Sequence, residues 1–108
     1  MLNLKKCIPC EEKVPPLSGE QVYEYLTQIP GWTLSQDEKN IFRTYTFTDF
    51  IGAVDFVNHI ADIAEQEGHH PDIAIHYNNV TLTLWTHAVG GLSENDFILA
   101  AKIDSMRI

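Results

Sequence analysis

Positive charge is scarce in this sequence. Seven Lys and Arg stand against fifteen Asp and Glu in 108 residues, a net charge of −8 with His neutral. Affinity for a phosphate backbone comes mainly from Lys and Arg, so the composition argues against a nucleic-acid partner. It argues equally against docking on an anionic membrane. Long hydrophobic runs are also lacking, for nothing approaches the ~20 consecutive apolar residues of a spanning helix. The start, Met1-Leu-Asn-Leu-Lys-Lys, leads into Cys7-Ile-Pro-Cys10 and not into the apolar stretch of a secretory signal, so a cytoplasmic location is expected. Cys7 and Cys10 are the only cysteines, too few for a disulfide framework. They supply half of a four-Cys zinc site, and no strand leads into them as a thioredoxin-like site requires. They read as free thiols, with a metal or redox role the lesser alternative. Neither a glycine-rich phosphate loop nor G-x-S-x-G is present.

What is present suits one soluble domain. Hydrophobic residues make up 44% and charged residues 20% of the chain. A domain of this length buries roughly two-thirds of its unfolded surface and folds without staples. Residues 1–17, with Pro9, Pro15, Pro16 and no periodicity, read as an irregular leader, and 18–108 as a single domain. Ser18-Gly-Glu-Gln21 is a capping box that opens a helix with Val22, Tyr25, Leu26 and Ile29 on its apolar stripe. Pro30-Gly31 ends it. A short strand at Trp32–Ser35 and a second at Ile41–Phe47 form a hairpin, with Ile41, Arg43, Tyr45 and Phe47 on one face. Thr48 is the expected N-cap, with Asp49 beside it, of a helix reaching about Glu67. Its apolar face is broad, and Gly68 suits a left-handed closing position. A second hairpin turns on Asn78-Asn79, joining Ile73–Tyr77 to Val80–His87. After Gly90-Gly91, Ser93 caps a last helix carrying Phe97, Ile98, Ala101 and Ile103. The order αββαββα implies an α+β fold, a four-stranded antiparallel sheet with three helices on one face.

Four of the five histidines lie between residues 69 and 87. His59, inside the long helix, reads as a partly exposed structural residue, and His76 as part of a solvated strand face. His69 and His70 differ, because they stand between a helix-ending glycine and Pro71. The proline drives His70 toward extended backbone, so the two rings leave a tight corner in different directions. Both lie where a helix C-terminus attracts imidazolium, and Glu65 stands one turn earlier. Two readings fit: an acid–base pair, or a polar loop whose histidines cap carbonyls. A turn on Asn78-Asn79 sets Tyr77 opposite Val80 and carries His87 opposite position 70, which favours a site. Asp96 either completes the cap after Ser93 or orients the His87 imidazole; the two are compatible. Zinc is the weaker alternative, since one metal rarely takes adjacent residues on extended backbone.

These residues resemble the pterin-4a-carbinolamine dehydratase family. The family pattern is an acidic or polar residue, three spacers, His-His-Pro, a later aromatic, nine spacers, His and a later Asp. Here it reads Glu65, His69-His70-Pro71, Tyr77, His87 and Asp96. Gly31-Trp32, Leu92-Ser93-Glu94 and the αββαββα order also look like the family, over roughly residues 18–105. The resemblance implies removal of water from a 4a-hydroxytetrahydropterin to give the quinonoid dihydropterin, in pterin cofactor recycling, with no cofactor and no metal. It implies His69, His70 and His87 as catalytic residues, with His70 the chief proton-transfer group. Glu65, Pro71, Trp32 and Asp96 would bind or orient, Trp32 as a wall of the pterin pocket. It further implies a homodimer or homotetramer, a pterin as the small-molecule partner, and an aromatic amino acid hydroxylase in the same pathway. Some animal relatives double as dimerisation cofactors for a homeodomain transcription factor. A protein-binding or non-catalytic pterin-binding module is therefore the alternative function.

Overall fold

The computed structural model describes residues 2–7 and 15–106. Cys10, half of the Cys7-Ile-Pro-Cys10 pair, lies outside them. Helix α1 spans Gly19–Leu26, and its N-terminus is the expected capping box. Ser18 N–H donates to Gln21 Oε1 at 2.9 Å while Gln21 N–H donates to Ser18 Oγ at 3.3 Å. The helix stops three residues before Ile29, because Pro30 disfavours α backbone just ahead of it. Gln28 and Ile29 instead donate to carbonyls three residues back, Tyr25 and Leu26, and Ile29 is tucked into the core.

Strands β1 (Thr33–Leu34) and β2 (Ile41–Thr46) form the first hairpin, and β3 (Asp72–His76) and β4 (Asn79–Leu84) the second. The sheet order is β1-β2-β4-β3, antiparallel throughout, with Ile41 opposite Leu84 and Thr46 opposite Asn79. Side chains alternate across such a sheet. Ile41, Val80, Leu82 and Leu84 are therefore buried beneath the helices. Thr44 and Thr46 face outward and bond across strands to Thr81 and Asn79.

Helix α2 (Phe50–Glu67) lays Ala53, Phe56, Ile60 and Ala64 on the sheet. Its N-cap is Asp49, not Thr48: the Asp49 carboxylate accepts from Gly52 N–H at 2.8 Å, a charge-assisted bond to a helix N-terminus. Helix α3 (Glu94–Asp104) buries Phe97, Ile98, Leu99, Ala100 and Ile103. The start of the chain is less irregular than its composition suggests. Leu2–Leu4 makes a 3-10 turn, and both Leu2 and Cys7 are buried in the same core as α3.

The second hairpin corrects the expected register. Its turn is Tyr77-Asn78, so Val80 faces Ile75 and not Tyr77, a shift of two residues. The cause lies in the neighbouring strand. Asn78 is held beside Phe47, whose N–H donates to the Asn78 carbonyl and whose carbonyl accepts from Asn78 Nδ2, both at 2.8 Å. That pairing continues the β2–β4 ladder and leaves Tyr77 to take the positive φ, 54°. Strand β4 also ends earlier than expected. Thr86 pairs with Gly91, the chain curls, and His87 opens a 3-10 turn, His87–Val89, instead of ending a strand.

Candidate active site

Gly68 closes α2 with φ 65° and ψ 27°, and the N–H groups of Gly68 and His69 both reach the Ala64 carbonyl. A Cβ at Gly68 would meet nothing within 4 Å, so backbone conformation, not space, favours glycine here. The two imidazoles then diverge, each to its own carboxylate. His69 turns inward, with Nε2 2.6 Å from Asp96 Oδ1. His70 turns outward, with Nε2 2.5 Å from Glu65 Oε2. The settings are opposite: the His69 side chain is 12% exposed against a fully buried Asp96, while those of His70 and Glu65 are 59% and 77% exposed.

Asp96 is the structural hinge of the site. Its Oδ1 takes His69. Its Oδ2 accepts from the Thr86 hydroxyl at 2.9 Å and from Ser93 N–H at 3.0 Å, the second bond closing the N-terminus of α3. The expected cap is thus present, but the imidazole that Asp96 holds is His69 and not His87. Thr86 itself is buried and shares a 2.7 Å contact with Ser93 Oγ. A buried carboxylate needs its lone pairs occupied, and three donors do that here.

His69, His70 and His87 line one open cleft of about 360 Å³, together with Gly68, Pro71, Asp72, Trp85 and Thr86. The His87 ring rests against Trp85 at 3.6 Å between centroids, and Trp85 Nε1 approaches Asp72 Oδ2 at 3.4 Å. Convergence of the three histidines survives the two-residue shift, because a shift of two keeps every side chain on its face. Trp32 is placed elsewhere. It is buried near β1, the sheet edge opposite β3, and its indole N–H donates to Asp104 at 3.0 Å. The same carboxylate accepts from Arg43 and Tyr45, so Trp32 belongs to a tie between sheet and α3 and not to the cleft. Burial, reinforced by the bond to Asp104, pushes the Tyr45 hydroxyl well above its ordinary pKa. His59 bonds the Asp55 carbonyl on the exposed side of α2, and His76 is exposed on β3. Among the described residues, no three His, Cys, Asp or Glu are arranged to hold a metal ion.

Sequence reasoning missed Asp72, Trp85 and Thr86. Trp85 shares strand parity with His87, and Asp72 directly follows His-His-Pro, so both positions were legible as neighbours of the site.

The N-terminal segment braces the walls behind the cleft. Cys7 N–H donates to Glu67 Oε1 at 2.9 Å, and its thiol reaches the Asn95 carbonyl at 3.5 Å, so one residue touches the neighbourhoods of both His69 and Asp96. Burial, reinforced by Glu67, pushes the Cys7 thiol up to about 12. Burial opposes ionisation of Glu67, yet the Cys7 N–H and the Lys102 ammonium, 3.4 Å away, hold its carboxyl below the usual range. The Tyr25 hydroxyl and Lys5 likewise hold Glu94 low, and the bond to Glu94 carries the Tyr25 hydroxyl up to about 12.

Fold and cleft together define a small α+β protein whose candidate site is a cleft lined by three histidines, two of them held by carboxylates. A family model described as pterin 4 alpha carbinolamine dehydratase matches residues 15–106, and the chain belongs to that family. A Halorhodospira halophila protein, named provisionally as a pterin-4-alpha-carbinolamine dehydratase, is 44% identical over 105 residues, covering 97% of this chain and 96% of its own. The Arabidopsis thaliana protein named pterin-4-alpha-carbinolamine dehydratase 2, mitochondrial, is 42% identical over 111 residues, 99% of this chain and 59% of that one. A crystal structure described as a transcriptional coactivator/pterin dehydratase from Brucella melitensis superposes with a TM-score of 0.79 at 33% identity, covering 83% of this chain and 96% of that chain.

Proposed function

We propose that this chain removes water from a 4a-hydroxytetrahydropterin to give the quinonoid dihydropterin, by histidine acid–base catalysis. One observation carries the reading: adjacent imidazoles, each held on Nε2 by a separate carboxylate, line one cleft with a third. A carboxylate at Nε2 selects the tautomer with its proton there, so a neutral His69 or His70 carries its lone pair on Nδ1. The reaction asks for two proton transfers. A general acid protonates the C4a hydroxyl, which leaves as water. A base takes the N5 proton, and the electron pair of that bond forms the C4a=N5 double bond. The sum is loss of one water, with no electrons passed to a carrier, so the chemistry calls for neither metal nor bound cofactor.

His70 is the chief proton-transfer group in this reading, and its exposed ring is free to exchange protons with solvent between turnovers. His69 and His87 share acid–base work and pterin positioning. Glu65 and Asp96 orient the first two imidazoles, and Pro71 holds the His70 backbone extended. A hydroxylase acting on an aromatic amino acid is the natural source of the carbinolamine, which places the step in pterin cofactor recycling. We place the protein in the cytoplasm, and its excess of Asp and Glu over Lys and Arg supports a reading with no nucleic acid or membrane partner. Ile73 and Ile75 are partly exposed on the edge strand β3, as are Phe50 and Ile51 at the start of α2. This supports a homodimer or homotetramer.

The test is to generate the 4a-hydroxytetrahydropterin with a hydroxylase and follow quinonoid product with and without this chain. Product appearing no faster than the uncatalysed baseline would rule the dehydratase reading out. The coactivator description of the Brucella neighbour favours one second reading, a dimerisation cofactor acting through the same apolar edge. That role would survive replacement of all three histidines, whereas dehydration would not.

A further inference from the structure

A pterin asks more of a site than proton transfer at C4a and N5. Across the ring, its pyrimidinone side presents N3–H and the 2-amino group next to each other, a two-donor edge that a carboxylate accepts as a fork. Three carboxylates surround the histidines, and two are already engaged. Asp96 is fully buried, with His69, Thr86 and Ser93 on its oxygens. Glu65 lies against His70 at 2.5 Å. Asp72 is the third. It is the first residue of β3, it is exposed, and it is the one carboxylate among the residues lining the cleft. Trp85 Nε1 makes only a long 3.4 Å approach to its Oδ2, which leaves acceptor capacity turned to the cleft.

We propose that Asp72 is the specificity-determining residue of this cleft, accepting from N3–H and the 2-amino group of a pterin while Trp85 forms the wall beside it. The inference rests on the pterin reading above. It also accounts for the arrangement of the rim. Asp72 and Trp85 lie at one side of the cleft and are tied together, and Trp85 is backed by His87. A ring anchored by its donor edge at Asp72 has its in-plane orientation set, and C4a and N5 are then presented to the imidazoles. Orientation of this kind is what converts affinity for the inert part of a substrate into rate at the reacting part. A lone imidazole cluster would bind either face or either end of the bicycle; a carboxylate at one end breaks that degeneracy.

The experiment compares two heterocycles that differ at the proposed contact. Pterin carries the 2-amino group, and lumazine carries a carbonyl there. Binding of each to the full chain and to Asp72→Asn is measured by calorimetry, alongside kcat and KM for the enzymatically generated carbinolamine. Loss of a charge-assisted pair should raise the pterin Kd and the KM about ten- to a hundredfold, with a smaller fall in kcat as the ring loses its set orientation. Lumazine binding should change less than about twofold. Equal losses for pterin and lumazine, an unchanged pterin Kd, or a loss confined to kcat would each overturn the assignment. Trp85→Phe in the same assays separates the wall from the anchor, and it should weaken both heterocycles alike. If the parent chain binds pterin in an Asp72-dependent way yet gives no catalysed dehydration, the dehydratase reading fails and the recognition by Asp72 stands.

Discussion

His69 Nε2 stands 2.6 Å from Asp96 Oδ1, joining the end of α2 to the start of α3 through a carboxylate with no solvent exposure. The same carboxylate also binds Thr86 and Ser93 N–H, so three separate segments meet on one side chain. Asp96→Asn keeps the shape but replaces one acceptor oxygen with a donor NH2, which must then face a donor. The expected cost is about 1–3 kcal/mol of stability, read by urea unfolding. His69 loses the partner that selects its tautomer, so kcat should fall about tenfold or more in the dehydration assay. A variant that matches the parent in both would show that Asp96 does not organise His69.

His70 calls for the reverse outcome. Its side chain is largely exposed and its partner Glu65 more so. His70→Ala should therefore shift stability by no more than about 0.5 kcal/mol, as for other surface positions. Catalysed dehydration should drop by about 10²- to 10⁴-fold, the usual reach of a general acid or base. Glu65→Gln should cost much less, because the Gln side-chain oxygen still accepts from His70 Nε2–H and keeps the same tautomer. Thermal unfolding and initial rates on the same preparations check both halves, and a parent-like rate in His70→Ala would remove His70 from the chemistry.

Much of this was legible in the residues, and the misses have physical causes. The capping box at Ser18, the face of Ile41, Arg43, Tyr45 and Phe47, and the glycine closing α2 are local signals, and local signals survive folding. The turn at Tyr77-Asn78 was not legible, because Phe47, some thirty positions away in the chain, decides it. The early end of β4 follows likewise from the Thr86–Gly91 pairing. Asp96 could be read as a cap, but which histidine it holds depends on how α3 lies against α2. Trp32 was expected as a wall of the pterin pocket, and only the packing shows that its indole N–H goes to Asp104.

The acid limb of stability should depend on the clasp made by the N-terminal segment. Glu67 and Glu94 both have carboxyls held below their ordinary value of 4.5. A depressed folded pKa means that stabilisation is fully present above the unfolded value and is lost as pH falls through the folded one. Urea midpoints should thus hold steady from pH 7 down to about 5 and decline below the ordinary Glu range. In Glu67→Gln, which keeps an acceptor for Cys7 N–H but gives up the charge facing Lys102, the decline should be shallower and the neutral-pH midpoint lower. Parallel pH profiles for parent and variant would mean that Glu67 contributes nothing to the acid limb.

Cys7 is the thiol whose setting can be tested most directly. It is buried, its Sγ–H points to the Asn95 carbonyl, and burial with Glu67 nearby carries it from 9.0 to about 12. The thiolate, not the thiol, is both nucleophile and metal ligand, so this position suits neither role in the folded chain. A shift from 9.0 to about 12 corresponds at pH 8 to on the order of a thousandfold less Cys7 thiolate in the folded protein than in the unfolded chain. In a Cys10→Ser background, labelling by a disulfide reagent should therefore be slowed by at least that factor relative to the same protein in urea. Because the raised value favours the protonated thiol, this contribution to stability is complete below pH 9 and is lost as pH rises toward 12. Equal labelling rates with and without urea would show that the segment Leu2–Cys7 does not stay packed against α3.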